Sequence, residues 1–158
     1  MSEQMTDDTP PDTAPRIAVV VSRFNPEVTE GLLLGTRKEL AERGVPLLEE
    51  DIYRAPGAFE IPLIAQTLAE CGRYDGVVCL GCVIKGDTAH FEFISLGAAA
   101  GLMQATLNTE VPVTFGILTT YTDEQAILRS RDDAANKGRE AAAACVETLE
   151  TLALIRGE

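Results

Sequence analysis

The sequence predicts an α/β fold: a three-layer sandwich with one parallel four-stranded sheet and helices on both faces. Two observations carry this. Between Arg16 and the C-terminus, short apolar runs alternate four times with segments of helical period. Parallel strands buried on both faces read as apolar runs, and their right-handed crossovers need helices. The second observation is size. A chain of 158 residues, 46% hydrophobic and 24% charged, suits one core and no second domain.

Residues 1–15 hold four acids, no Lys or Arg, and three of the eight prolines. They cannot bury a core and are expected to be a disordered acidic tail ahead of a folded domain, 16–158. Ile17–Val21 reads as the first strand. A helix follows over about Pro26–Arg43, with Val28, Leu32 and Leu40 on one face and Gly44 as its stop. Leu47–Tyr53 reads as a more polar strand at a sheet edge. Ala55-Pro56-Gly57-Ala58 is a turn into a helix over about Phe59–Cys71, where Ile61, Ile64, Ala65 and Leu68 follow helical spacing. Val77–Ile84 is the most buried-looking strand. The loop Lys85–His90 leads to a long helix ending near Asn108. Val113–Leu118 is the fourth strand. Thr122-Asp123-Glu124-Gln125 reads as a capping box opening a short helix. The last helix, about Asn136–Leu154, lines up Ala141, Ala144, Cys145, Thr148, Leu149 and Leu152. The architecture expected is flavodoxin-like.

Charge and composition exclude several functions. The formal net charge is −12. Sequence-independent nucleic-acid binding needs a Lys/Arg surface, and so does docking on anionic lipid. The longest apolar stretches, Val77–Ile84 and Leu96–Met103, fall well short of the ~18 residues of a spanning helix. The N-terminus lacks the basic start and apolar centre of a signal peptide, so the compartment is read as cytoplasmic. Of four cysteines, Cys79 and Cys82 form a Cys-x-x-Cys. On a strand that spacing points the thiols to opposite faces, and no second Cys/His pair completes a zinc set. No metal and no cofactor are expected.

Ligands of open parallel sheets bind beyond the carboxyl ends of the strands. That selects Arg23–Asn25, Ala55–Glu60, Lys85–His90 and Thr119–Thr122. The only histidine, His90, lies there, with two of the five phenylalanines, Phe24 and Phe59. Histidine is the side-chain type suited to give and take protons at neutral pH, although a capping or surface role fits His90 equally. Gly86-Asp87-Thr88 precedes a helix start, where free amides favour an anion; Asp87 opposes one unless its side chain turns away to cap. Phe24 suits stacking on a planar ring. Ala58-Phe59-Glu60 offers backbone groups and a carboxylate to a heterocycle, with a core plug the alternative for Phe59. Arg129 suits a phosphate clamp or a solvated surface. Ser22–Pro26 is too bulky for an FMN phosphate loop, and no P-loop, G-x-G-x-x-G or G-x-S-x-G occurs.

Six stretches taken together are recognisable: Arg23-Phe24-Asn25, Pro56–Pro62, Leu80–Phe91, Phe115–Thr120, Glu124-Gln125-Ala126, and Asn136-Lys137-Gly138 with Glu140-Ala141-Ala142. In order and spacing, from Arg16 to about Leu152, the chain resembles the lumazine synthase family. The resemblance implies a transferase acting at the penultimate step of riboflavin biosynthesis. The family condenses 5-amino-6-(D-ribitylamino)uracil with 3,4-dihydroxy-2-butanone 4-phosphate to 6,7-dimethyl-8-ribityllumazine, releasing phosphate and two waters, without metal or organic cofactor.

Carried over by resemblance, Phe24 stacks on the pyrimidine. Ala58, Phe59, Glu60, Cys82, Val83 and Ile84 line the pyrimidine and ribityl pocket. Asp87 and Thr88 hold the phosphate end of the butanone, and His90 shuttles protons. Phe115, Arg129 and Lys137 come from the adjacent subunit; Phe115 closes on the ring, Arg129 binds phosphate and Lys137 assists. Glu140 matches an acidic family position suited to orient His90. The resemblance further implies a homopentamer, with a sixty-subunit shell as the larger alternative, and raises association with riboflavin synthase. Lys85 stands where Arg is common, and Glu92-Phe93 where Asp-Tyr is common. The link Arg131–Ala135 lacks the glycine usual in shell-forming members, which favours the free pentamer. A catalytically silent scaffold and a flavin or pteridine binder are the competing readings.

Overall fold

The computed structural model describes residues 14–158. The tail expected at 1–15 lies outside them except for its last two residues. The elements are β1 (Ile17–Ser22), α1 (Pro26–Glu42), β2 (Ile52–Ala55), α2 (Ile61–Glu70), β3 (Gly76–Ile84), α3 (His90–Thr109), β4 (Val113–Thr120), α4 (Asp123–Arg129) and α5 (Lys137–Arg156). All strands are parallel, in the order β2-β1-β3-β4. The expected three-layer α/β sandwich is what forms.

Alternation along β1 builds two cores. Ile17, Val19 and Val21 pack with Leu32 and Leu40 of α1 and Ala141 and Cys145 of α5. Ala18 and Val20 pack on the other face with Ile61 and Ala65 of α2 and Ala98 and Leu102 of α3. The valines of β1 are wholly buried, and each contributes about 1.5–3 kcal/mol by leaving water. Cys79 joins one core and Cys82 the other, as the odd spacing requires. Among the described residues no helix is long and apolar enough to cross a membrane.

Two boundaries differ from the sequence reading. The strand expected at Leu47–Tyr53 is β2 at Ile52–Ala55, preceded by a 3-10 turn at Glu49–Asp51. Asp51 makes that turn. It is buried, accepts the Leu48 amide at 3.1 Å, and takes hydrogen bonds from Arg16 and the Tyr74 hydroxyl. Tyr53 donates in turn to Tyr74 at 2.8 Å. Burial first, then these two partners, pushes the Tyr74 phenol above its ordinary range. Tyr74→Phe breaks this chain beside a buried carboxylate. A loss of about 1–2 kcal/mol is expected, read as a fall in Tm of about 3–6 °C.

The second difference is a 3-10 turn, Ala58–Glu60, ahead of α2. Pro62 sits in the first turn of α2, where its missing N–H costs nothing. The expected capping box is displaced by one residue. Thr122 Oγ1 accepts the Gln125 amide, but Gln125 Oε1 accepts from Tyr121 rather than Thr122.

Candidate active site

The carboxyl ends of β1, β2 and β3 surround a pocket of about 430 Å³. Phe24, Ala58, Phe59, Glu60, Cys82, Val83, Ile84 and His90 all line it. Phe24 and Phe59 are 68% and 61% exposed, so neither is a core plug. Two uncovered rings beside backbone groups suit a flat heterocycle with polar edges.

Asn25 and Gly57, inside the selected loops but given no role, stand on the same wall, as does Ile94, which the sequence reading missed. Asn25 holds the left-handed conformation, φ 55°, and precedes Pro26 at the start of α1. Asparagine tolerates that region better than most residues. Its side chain donates to the Cys82 carbonyl at 3.3 Å, tying the Phe24 loop to β3. An Asn-Pro pair closing a strand was the available signal. Ile94 stands one helical turn after His90, which the i, i+4 rule would have placed beside it.

His90 is the first residue of α3, and its amide is 3.4 Å from Thr88 Oγ1. The N-cap position is Ala89, so the helix carrying the imidazole starts without a side-chain cap of its own, and Thr88 Oγ1 reaches only its first amide. Asp87 and Thr88 lie on the exposed loop and do not line the pocket wall. Lys85 places its ammonium 5.5 Å from the centre of the Tyr121 ring, a cation–π contact outside the pocket lining.

Burial, and to a lesser extent the Asp123 charge, pushes the Cys82 thiol up to about 11. Burial raises Cys79 further and Cys145 to about 12. A raised thiol stays protonated until the pH approaches its shifted value, so none of the three is a nucleophile near neutrality. Cys71 is exposed, and hydrogen bonding from Arg73 lowers its thiol. Iodoacetamide below about pH 9 is therefore expected to label Cys71 alone in the folded protein, with mass spectrometry as the readout.

A second pocket, of about 330 Å³, runs along β4 between α4 and α5. Phe115, Arg129, Lys137 and Glu140 line it. Phe115 is 46% exposed on the edge strand. Arg129 donates to the Gln125 carbonyl at 3.0 Å, and among the described residues no carboxylate pairs with it. Lys137 pairs with Glu140 at 2.8 Å. Within the protomer Glu140 therefore faces Lys137 in the second pocket, not His90 in the first. One pocket holds the imidazole of His90 and two exposed aromatic rings. The other holds two cations and a third ring.

The family description matching this chain is 6,7-dimethyl-8-ribityllumazine synthase, over residues 14–153. The chain belongs to the lumazine synthase family. It is 69% identical over 152 residues to 6,7-dimethyl-8-ribityllumazine synthase 1 of Caulobacter vibrioides, covering 96% of this chain and 97% of that one. It is 49% identical over 142 residues to the 6,7-dimethyl-8-ribityllumazine synthase of Salinibacter ruber, covering 90% and 91%. With that of Deinococcus deserti it shares 47% over 137 residues, covering 87% and 88%. The family's reaction is a transfer at the penultimate step of riboflavin biosynthesis.

Proposed function

We propose that two copies of this chain join the two pockets into one site, which condenses 5-amino-6-(D-ribitylamino)uracil with 3,4-dihydroxy-2-butanone 4-phosphate. The observation that carries this is a separation: exposed aromatic rings and the imidazole line one pocket, while Arg129, with no carboxylate partner among the described residues, lines the other with Lys137. Neither pocket alone serves a reaction joining a heterocycle to a phosphate ester.

The pyrimidine stacks on Phe24, with Phe59 and the backbone of Cys82–Ile84 around its edges and Glu60 toward the ribityl chain. Its own amine attacks the ketone, so the protein supplies no nucleophile. His90 takes and returns the protons of imine formation and elimination, worth about 10²–10⁴-fold. Holding two small reactants in register supplies much of the rest. Arg129 and Lys137 receive the phosphate as it leaves, Asp87 and Thr88 border it, and Phe115 closes over the ring. Positive charge placed where anionic charge develops lowers the barrier to elimination.

A ring of five copies agrees with a feature of α3. Phe93, Leu96, Ala100, Met103 and Leu107 stand exposed at alternating spacings of three and four. That seam is suited to burial against a neighbouring helix, since a monomer leaves it in water. The glycine-free link Arg131–Ala135 supports the free ring over a larger shell. Sedimentation distinguishes them. Cytoplasmic residence and association with riboflavin synthase accord with the family's place in the pathway. Co-purification from the cytosolic fraction tests both.

The test of activity mixes the two substrates and follows lumazine absorbance and phosphate release together. Coupled appearance of both is expected. Binding of lumazine without turnover would identify a binder, and neither signal would identify a scaffold.

A further inference from the structure

Asn136 is 1% exposed and precedes α5, directly beside Lys137. Both ends of its carboxamide are bonded. Oδ1 accepts the amides of Gly138 at 2.8 Å and Arg139 at 3.2 Å, capping α5. Nδ2 donates to the Arg131 carbonyl at 2.8 Å and to the Gly31 carbonyl of α1 at 3.1 Å. The socket is shaped to this group. A Cβ at Gly35 would lie 2.1 Å from Asn136 Oδ1, and one at Gly138 would lie 2.0 Å from the Leu32 carbonyl.

The placement matters because of what flanks it. Arg131 lies two residues beyond Arg129, and Lys137 follows Asn136 in the chain. The link between the two cations is otherwise held by short-range turn bonds within 131–136 and by the exposed Lys38–Asp132 ion pair. Exposed ion pairs hold little. A clamp made of two cations works only at a fixed separation, and a small misplacement costs much of its value.

We propose that Asn136 is a positioning residue for the phosphate-bearing substrate, setting Arg129 against Lys137 by tying the link to α1 and α5 at once. This rests on the reading above that these two cations receive the phosphate. Only a side chain with two donors and an acceptor oxygen in one plane makes this set of bonds. Aspartate keeps the cap on α5 but loses both donors, leaving the Arg131 carbonyl with the Asp133 amide alone and the Gly31 carbonyl with its bond inside α1 alone, so the tie between link and helix is cut. Serine does the same without adding charge, so it is the second variant should a buried aspartate prevent folding.

In Asn136→Asp and Asn136→Ser, KM for the butanone phosphate should rise about tenfold, while KM for the pyrimidine changes less than about twofold. Amides of 130–135 should exchange faster with solvent, while those of β1 and β3 do not. In the unaltered protein, inorganic phosphate should slow exchange of the same link amides, because coupling between clamp and link is reciprocal. Equal rises in both KM values, or link amides indifferent to the substitutions or to phosphate, would overturn the inference. An unaltered protein that protects its link with phosphate yet forms no lumazine leaves the inference standing and removes the reaction. One that forms lumazine with an indifferent link does the reverse.

Discussion

His90→Ala is expected to lower turnover by roughly 10–10³-fold with little change in the affinity for either substrate. His90 is the histidine of the chain and opens α3 at the wall of the pocket lined by Phe24 and Phe59. Removing the ring leaves Phe24, Phe59 and the β3 backbone in place, so binding survives. The loss is bounded because positioning of the reactants persists, and water can carry protons slowly through the vacated space. Steady-state kinetics on both substrates check this. Unchanged turnover would remove His90 from the mechanism.

Arg129→Ala is expected to raise KM for the butanone phosphate by about 10–100-fold, and KM for the pyrimidine far less. A hydrogen bond to a charged group is worth about 1.5–3 kcal/mol, and here it is lost toward one substrate only. Arg129 has the Gln125 carbonyl as its partner and no carboxylate among the described residues, so its charge is available to an anion. Lys137 is already held by Glu140, and its removal should matter less. Equal effects on the two KM values would contradict the assignment.

What the sequence displayed and what it hid follow from the range of the forces involved. The strands β1 and β3 were visible because burial on both faces leaves unbroken apolar runs, and β4, at the sheet edge, showed through Val113, Phe115, Ile117 and Leu118. β2 was misplaced because its start is set by Asp51, whose partners Arg16 and Tyr74 lie 35 and 23 residues away. No local pattern reports such contacts. Phe24 and Phe59 were legible as apolar side chains at polar strand ends, whereas Cys82, Val83 and Ile84 were reached only through the family resemblance. Asn25 was passed over because its contribution is a backbone conformation and a bond to the Cys82 carbonyl. The apolar seam of α3 escaped for a different reason: a helix apolar on nearly all sides shows no single periodic face, and only the fold reveals which side is left uncovered.

Because His90 and Arg129 line different pockets, the account turns on whether one site draws on two chains. A head-to-tail interface of this kind closes into a ring. His90→Ala chains keep an intact Arg129, and Arg129→Ala chains keep an intact His90. When the two are unfolded and refolded together in equal amounts, about a quarter of the interfaces should combine both intact halves. At butanone phosphate well below the raised KM of Arg129→Ala, turnover should then exceed that of either variant refolded alone and approach a quarter of the unaltered protein's. Mixed rings verified by native mass spectrometry, yet no more active than the average of their parents, would place the whole site within one chain and contradict the account.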